Sequence, residues 1–183
     1  MSLLDAYNKA TEGWDAKNDS AQQRDQGLPA GDYDVILDSV SHATYKSGYE
    51  CLRFVMTVYQ GEHTGRKEFI NVSLAQKTKD GRPMPDFVVS QNIRYVAKIG
   101  ALVGLDMKPE YFDGVETDLY ENFNQLFRPC VGKSLKMTVI IRPNKNDANN
   151  PYRSYDFAPG ENISTPDPAT VADPEVTDDD LPF

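Results

Sequence analysis

The chain has 183 residues, 39% of them hydrophobic, a formal net charge of −9 and two cysteines. That length accommodates one domain with a buried core plus appendages. No run approaches the roughly 20 apolar residues that span a bilayer, no cationic and apolar leader follows Met1, and Cys51 sits in an apolar run that suits a buried thiol better than a disulfide framework. A chain with no membrane partner, in a reducing cytoplasm, is expected.

Residues 1–30 form a polar lead segment, in which Leu3, Leu4, Tyr7 and Trp14 can anchor a short helix before a linker over 18–26. A domain is expected from Gly31. Tyr33, Val35 and Leu37 alternate with Asp32, Asp34, Ile36 and Asp38, the period of a strand with one wet face. Lys46, Ser47 and Gly48 mark a turn. The strongest strand signal follows over 49–59, with Leu52, Phe54, Met56 and Val58 on one face and Tyr49, Cys51, Arg53, Val55, Thr57 and Tyr59 on the other. A third strand over 66–74 turns Ile70, Val72 and Leu74 inward and Lys67, Phe69 and Asn71 outward.

The period then lengthens. Asp86 can cap a helix whose inward stripe is Val89, Ile93, Val96, Gly100 and Val103. Asp118 and Glu121 have the spacing of a capping box, and Leu119, Phe123 and Leu126 predict a second short helix ending before Pro129. Leu135, Met137, Val139 and Ile141 alternate with Lys136, Thr138, Ile140 and Arg142 in a fourth strand. An Asn-rich loop over 143–151 precedes a short edge strand over 153–157. Three strands, a helical insertion and two closing strands predict a mainly β fold, a five-stranded OB-like Greek-key barrel over residues 31–158. An α/β nucleotide fold would alternate strand and helix from the start.

The charge is unevenly placed. Seven of the 28 acids, and none of the 19 Lys and Arg residues, fall in 160–183, so the remainder is near neutral. Residues 42–100 and 133–153 each carry a local excess of four positive charges. A polyanion meets this local field rather than the bulk pI. Single-strand sites need cations for phosphates and aromatic faces for bases, and OB-folds place them on strands two and three and the flanking loops. The residues so placed are Tyr49, Arg53, Tyr59, Lys67 and Phe69 on the strands. Tyr45 and Lys46 lie at the first turn, Lys77, Lys79 and Arg82 after strand three, and Lys145, Tyr152 and Arg153 around the last loop.

Residues 159–183 hold five prolines and little apolar surface, so they are expected to be disordered. Yet they finish on Asp178-Asp179-Asp180-Leu181-Pro182-Phe183, with two large apolar groups after three acids. This ending resembles the C-terminal peptide of bacterial and phage single-stranded-DNA-binding proteins, whose flexible acidic tails end in Asp-Asp-Ile/Leu-Pro-Phe. Residues 31–74 are similar to phage-encoded proteins of this kind through Gly31-Asp32-Tyr33 and Ser47-Gly48-Tyr49-Glu50-Cys51-Leu52-Arg53-Phe54. The chain departs from the bacterial pattern in its lead segment, in lacking a Gly/Gln-rich linker and in the length of 75–132. The resemblance implies that Pro182 and Phe183 fill an apolar pocket on a replication or recombination protein while Asp178, Asp179 and Asp180 meet a basic rim, with Leu181 between them.

The expected function is sequence-independent binding and protection of single-stranded DNA in replication, recombination and repair, in the host-cell cytoplasm if phage-encoded. A homo-oligomer stays open. The alternatives are a recombination mediator or strand-annealing protein with the same barrel and tail, and a structural virion β-barrel without DNA affinity. Nothing in the sequence argues for an enzyme or a cofactor. His42 and His63 lack metal-ligand spacing with Cys51 or Cys130, and there is no phosphate-binding glycine loop or nucleophile elbow.

Overall fold

A computed structural model describes residues 2–12, 15–17 and 27–161. The calls on Trp14 and on the acidic tail beyond Glu161 lie outside the described residues. Helix α1 (Leu3–Thr11) opens with a capping box: Ser2 Oγ accepts from the Asp5 backbone N–H, and the Asp5 carboxylate accepts from that of Ser2. Leu3, Leu4 and Tyr7 on it are exposed.

Five strands form one antiparallel sheet: β1 (Gly31–Thr44), β2 (Glu50–Val58), β3 (Lys67–Val72), β4 (Ser134–Arg142) and β5 (Tyr152–Pro159). Their order across the sheet is β3-β2-β1-β4-β5. The period-two expectations for β3 and β4 hold residue for residue at Ile70, Val72, Leu135, Met137 and Val139, all buried. β1 departs from strict alternation. Its register slips between Leu37 and Ser39, so Val40 rather than Ser39 follows Leu37 into the core. A bulge adds one residue and bends the strand, which lets the first half of β1 pair with β4 while its length from Val35 onward pairs with β2.

Helix α2 (Asp86–Leu102) and helix α3 (Glu116–Phe127) fill the interval between β3 and β4, with short 3-10 turns at Pro109–Phe112 and Arg128–Cys130. Both expected caps are corrected. Pro85 holds the N-cap of α2 with Asp86 in its first turn, and Val115 holds that of α3 without a side-chain cap, so Asp118 acts only as a first-turn anion. The inward stripe of α2 is also rotated: Val96, Ile99 and Gly100 are buried, Val89 is half-buried and Ile93 is exposed. Tyr95 explains the rotation, because its ring packs edge-on against Tyr155 and Phe157 and turns the helix toward β5. α3 buries Leu119, Tyr120, Phe123 and Phe127, with Phe127 edge-on to Phe54 at 5.1 Å.

Tyr120 is fully buried beside His42, which stacks on it at 5.2 Å. Its hydroxyl accepts from the Leu74 N–H at 2.8 Å and donates to Glu116 at 2.8 Å. Burial above all holds its phenol well above the usual tyrosine range, and the same holds for Tyr155. A phenol whose folded pKa is raised contributes stability that is intact below the unfolded value of about 10 and lost above it. Stability is therefore expected to fall from about pH 10 upward, on the order of 1 kcal/mol per pH unit for each buried phenol. Urea midpoints between pH 8.5 and 11 measure this, and Tyr120→Phe should flatten the slope. A midpoint independent of pH over that range contradicts it.

Candidate nucleic-acid interface

The outer face of β2 and β3 carries the site because the strand period leaves Lys67, Phe69 and Asn71 pointing away from the core. Phe69 lies opposite Val55 and is 50% exposed, covering a Val55 that is itself nearly buried. Toward the β1–β2 turn, Arg53 lies opposite Asn71, and its Nε donates to Asn71 Oδ1 at 3.1 Å. Its guanidinium also donates to the Tyr45 hydroxyl, which accepts from Asn71 Nδ2 at 3.0 Å as well. The same guanidinium stands 5.4 Å from the centre of the Tyr45 ring. Tyr49 lies beside it with ring centres 5.6 Å apart, and half-burial raises its phenol above the ordinary range. Tyr45, Tyr49, Arg53 and Phe69 are thus brought to one face, with Arg53 held in place and paired to no carboxylate among the described residues.

At the other end of β3, Lys67 Nζ lies 2.6 Å from Asp38 Oδ2. Lys67 and Phe69 line a cleft of about 870 Å³. Ile141, Asn149, Asn150, Pro151 and Tyr155 line it as well. The Asn-rich loop between β4 and β5 knits itself together there. Asp147 accepts from Asn149 N at 3.0 Å and Asn150 Nδ2 at 2.7 Å, and Asn144 Nδ2 donates to Asn150 O at 3.0 Å, the local side-chain bonding by which Asx residues stabilise turns. A second, smaller cleft of about 490 Å³ is lined by Asp32, Asp34 and Glu62 without a Lys or Arg, the wrong charge for a polyanion.

The remaining expected residues divide. Lys79 donates to the Ser47 carbonyl, tying the β3–α2 loop to the β1–β2 turn, while Lys77 makes a bridge with Pro83 and Arg82 pairs with Asp80 at 2.9 Å. Lys46, Lys145 and Tyr152 are exposed. Tyr59 does not join the face: it is half-buried, its N–H donates to the Asp34 carbonyl, and its hydroxyl is buried without a hydrogen-bond partner among the described residues. Arg153 turns inward. Its Nη2 lies 2.7 Å from Glu68 Oε1 and 2.6 Å from the Leu28 carbonyl, and its Nε lies 3.0 Å from Glu68 Oε1. Glu68 is 3% exposed and also accepts from the Tyr155 hydroxyl and the Leu28 N–H, both at 2.7 Å. These bonds join the two edge strands of the sheet.

Glu68 and Asn71 carry this geometry, and the sequence argument gave them no role. The signal for Glu68 was its place in the inward phase with Ile70 and Val72, where a carboxylate needs buried donors. Among the described residues no helix is long and apolar enough to cross a membrane, and no three or more His, Cys, Asp or Glu are grouped to hold a metal ion. No protein-family model matches this chain, and no curated protein matches its sequence.

Proposed function

We propose that this chain is a single-stranded-DNA-binding protein whose body holds the strand on the outer face of β2 and β3. The observation that supports it most is Phe69, half-exposed in the middle of an edge strand, with Lys67 on one side and the Arg53–Tyr45–Tyr49 group on the other. A solvent-facing aromatic in that position gains by stacking on a base, at about 1–3 kcal/mol per base, whatever the base. Flanking cations supply the salt-dependent attraction to phosphates. Duplex DNA keeps its bases stacked inside and offers Phe69 nothing comparable.

The strand order β3-β2-β1-β4-β5, with β3 and β5 at its two edges, and the helical interval between β3 and β4 support an OB-like barrel, a fold that would bring those two edges together. The Glu68–Arg153–Tyr155 bonds, which link those two edge strands, support this reading. The reading extends to the tail by sequence. Leu181, Pro182 and Phe183 form an apolar anchor behind Asp178, Asp179 and Asp180, suited to a basic-rimmed pocket on a replication or recombination protein.

The test is fluorescence anisotropy of labelled oligo-dT over a salt series beside a duplex of equal length. The expected result is tight single-strand binding, weak duplex binding, and affinity falling with salt by about 0.7 log units per log unit of salt for each phosphate contacted. Absence of binding to either substrate at low salt, with and without residues 160–183, removes the reading and leaves the structural virion protein in its place.

A further inference from the structure

Helix α2 presents a face that the core does not explain. Phe87, Gln91, Arg94 and Lys98 recur at steps of four, three and four, so they line one side of the helix. This side is roughly opposite Val96, Ile99 and Gly100, which are buried. All four are exposed, and Phe87 is 75% exposed at the first turn. Arg94 and Lys98 make no ion pair or side-chain hydrogen bond among the described residues, and no acid falls on this side of the helix. In an ordinary solvated helix face, cations are commonly interleaved with acids at i±4. Here a row about 16 Å long combines an aromatic, an amide and two unpaired cations.

The row also continues the site. The loop that leaves β3 carries Lys77, Lys79 and Arg82 and enters α2 one turn before Gln91, and Lys79 binds it to the Ser47 carbonyl of the β1–β2 turn. Asn92, on the half-buried inner side of the helix, donates to the Ser73 carbonyl at 2.8 Å and so anchors α2 just past the end of β3. Along the chain, cations run from Lys67 on β3 through Lys77, Lys79 and Arg82 in the loop, the last paired with Asp80, to Arg94 and Lys98 on the helix.

Resting on the proposed single-strand binding, we infer that the outer face of α2 is an extension of the strand path, on which Arg94 and Lys98 take phosphates and Phe87 takes a base of a strand too long for the sheet face alone. The helical interval between β3 and β4 then serves to lengthen the site. Complementary charge selects a nucleic-acid strand as the occupant, since an apolar partner would find only Phe87.

The experiment compares oligo-dT of about 8 and about 30 nucleotides, the shorter within the range one such domain covers. The protein is the full chain, as wild type, Arg94→Ala/Lys98→Ala and Phe87→Ala. The expected result is that short-oligonucleotide affinity stays unchanged in both variants. Long-oligonucleotide affinity should drop about tenfold in the double variant, with the salt slope shallower by about 1.4 for two lost phosphate contacts. The substituted side chains are exposed, so unchanged circular dichroism is expected, and Arg94→Glu/Lys98→Glu should weaken the long complex further. An unchanged long complex and salt slope overturn the inference while leaving the sheet-face reading intact. Equal weakening at both lengths also overturns it, by showing a diffuse field effect. Failure of the wild type to bind either length removes both.

Discussion

Glu68→Ala is expected to remove about 3–5 kcal/mol of stability, the loss typical of breaking a buried ion pair from one side. Since small domains hold only about 5–15 kcal/mol in total, this substitution alone brings the fold close to its limit. The reason lies in what stays behind. Arg153, at 22% side-chain exposure, would keep its charge without the carboxylate it faces, and the Tyr155 hydroxyl and Leu28 N–H would each lose a partner. Glu68→Gln keeps acceptor capacity without the charge and should fall between wild type and alanine. The double change Glu68→Leu/Arg153→Met removes both charges and should recover much of the loss, as apolar replacement of buried ion pairs often does. Urea unfolding of the four proteins decides it. If Glu68→Ala unfolds at the wild-type midpoint, the clasp between β3 and β5 contributes nothing.

For binding, the largest single effect is expected from Phe69→Ala. Loss of one stacked base costs about 1–3 kcal/mol, roughly a 5- to 150-fold rise in Kd for oligo-dT. Lys67→Ala should do much less. Its ammonium already lies 2.6 Å from Asp38, so contact with a phosphate must first displace that carboxylate. Tyr49→Ala and Arg53→Ala should fall between, because Arg53 both faces the strand and holds Tyr45 and Asn71 in position. Phe69 is half-exposed, so a thermal melt of Phe69→Ala should stay close to wild type and separate lost binding from lost fold. A Kd for Phe69→Ala within twofold of wild type sinks the central role given to this ring.

What the sequence made legible was periodicity. All five strands and both long helices follow from spacing, since alternation on β3 and β4 reflects which side faces the core, while the three-four steps of the helical interval give the helices but set the inward side of α2 only approximately. Three kinds of feature were hidden. The bulge at Leu37/Ser39 shifts the phase of β1 without any residue that announces it. The outer face of β2 is less wet than its pattern suggests, because Cys51 and Val55 are buried alongside Tyr49, Arg53 and Phe69, larger side chains on that same face. The role of Arg153 depended on a partner 85 residues away, so a cation expected to face solvent is instead held by Glu68. At the candidate site, Tyr49, Arg53 and Phe69 could be placed from strand phase and Tyr45 from the turn that precedes them. The part of the cleft lined by Asn149, Asn150 and Pro151 required the loop's folded path.

The pairing of β1 with both β2 and β4 also has a kinetic consequence. The β1–β2–β3 meander and the β4–β5 hairpin are each built from neighbours in the chain, whereas the ladder uniting them brings together distant residues such as Asp32 and Thr138, 106 positions apart. Closing that long loop is the entropically demanding event, and topologies dominated by such pairings fold slowly. The penalty grows only logarithmically, about 0.6 kcal/mol for each doubling of loop length. Once a chain has to bridge from β3 to β4 at all, two helices in the gap add little to the cost of closure. The aromatic groups of α3 that meet Phe54 and stack on His42 supply contacts that reward it.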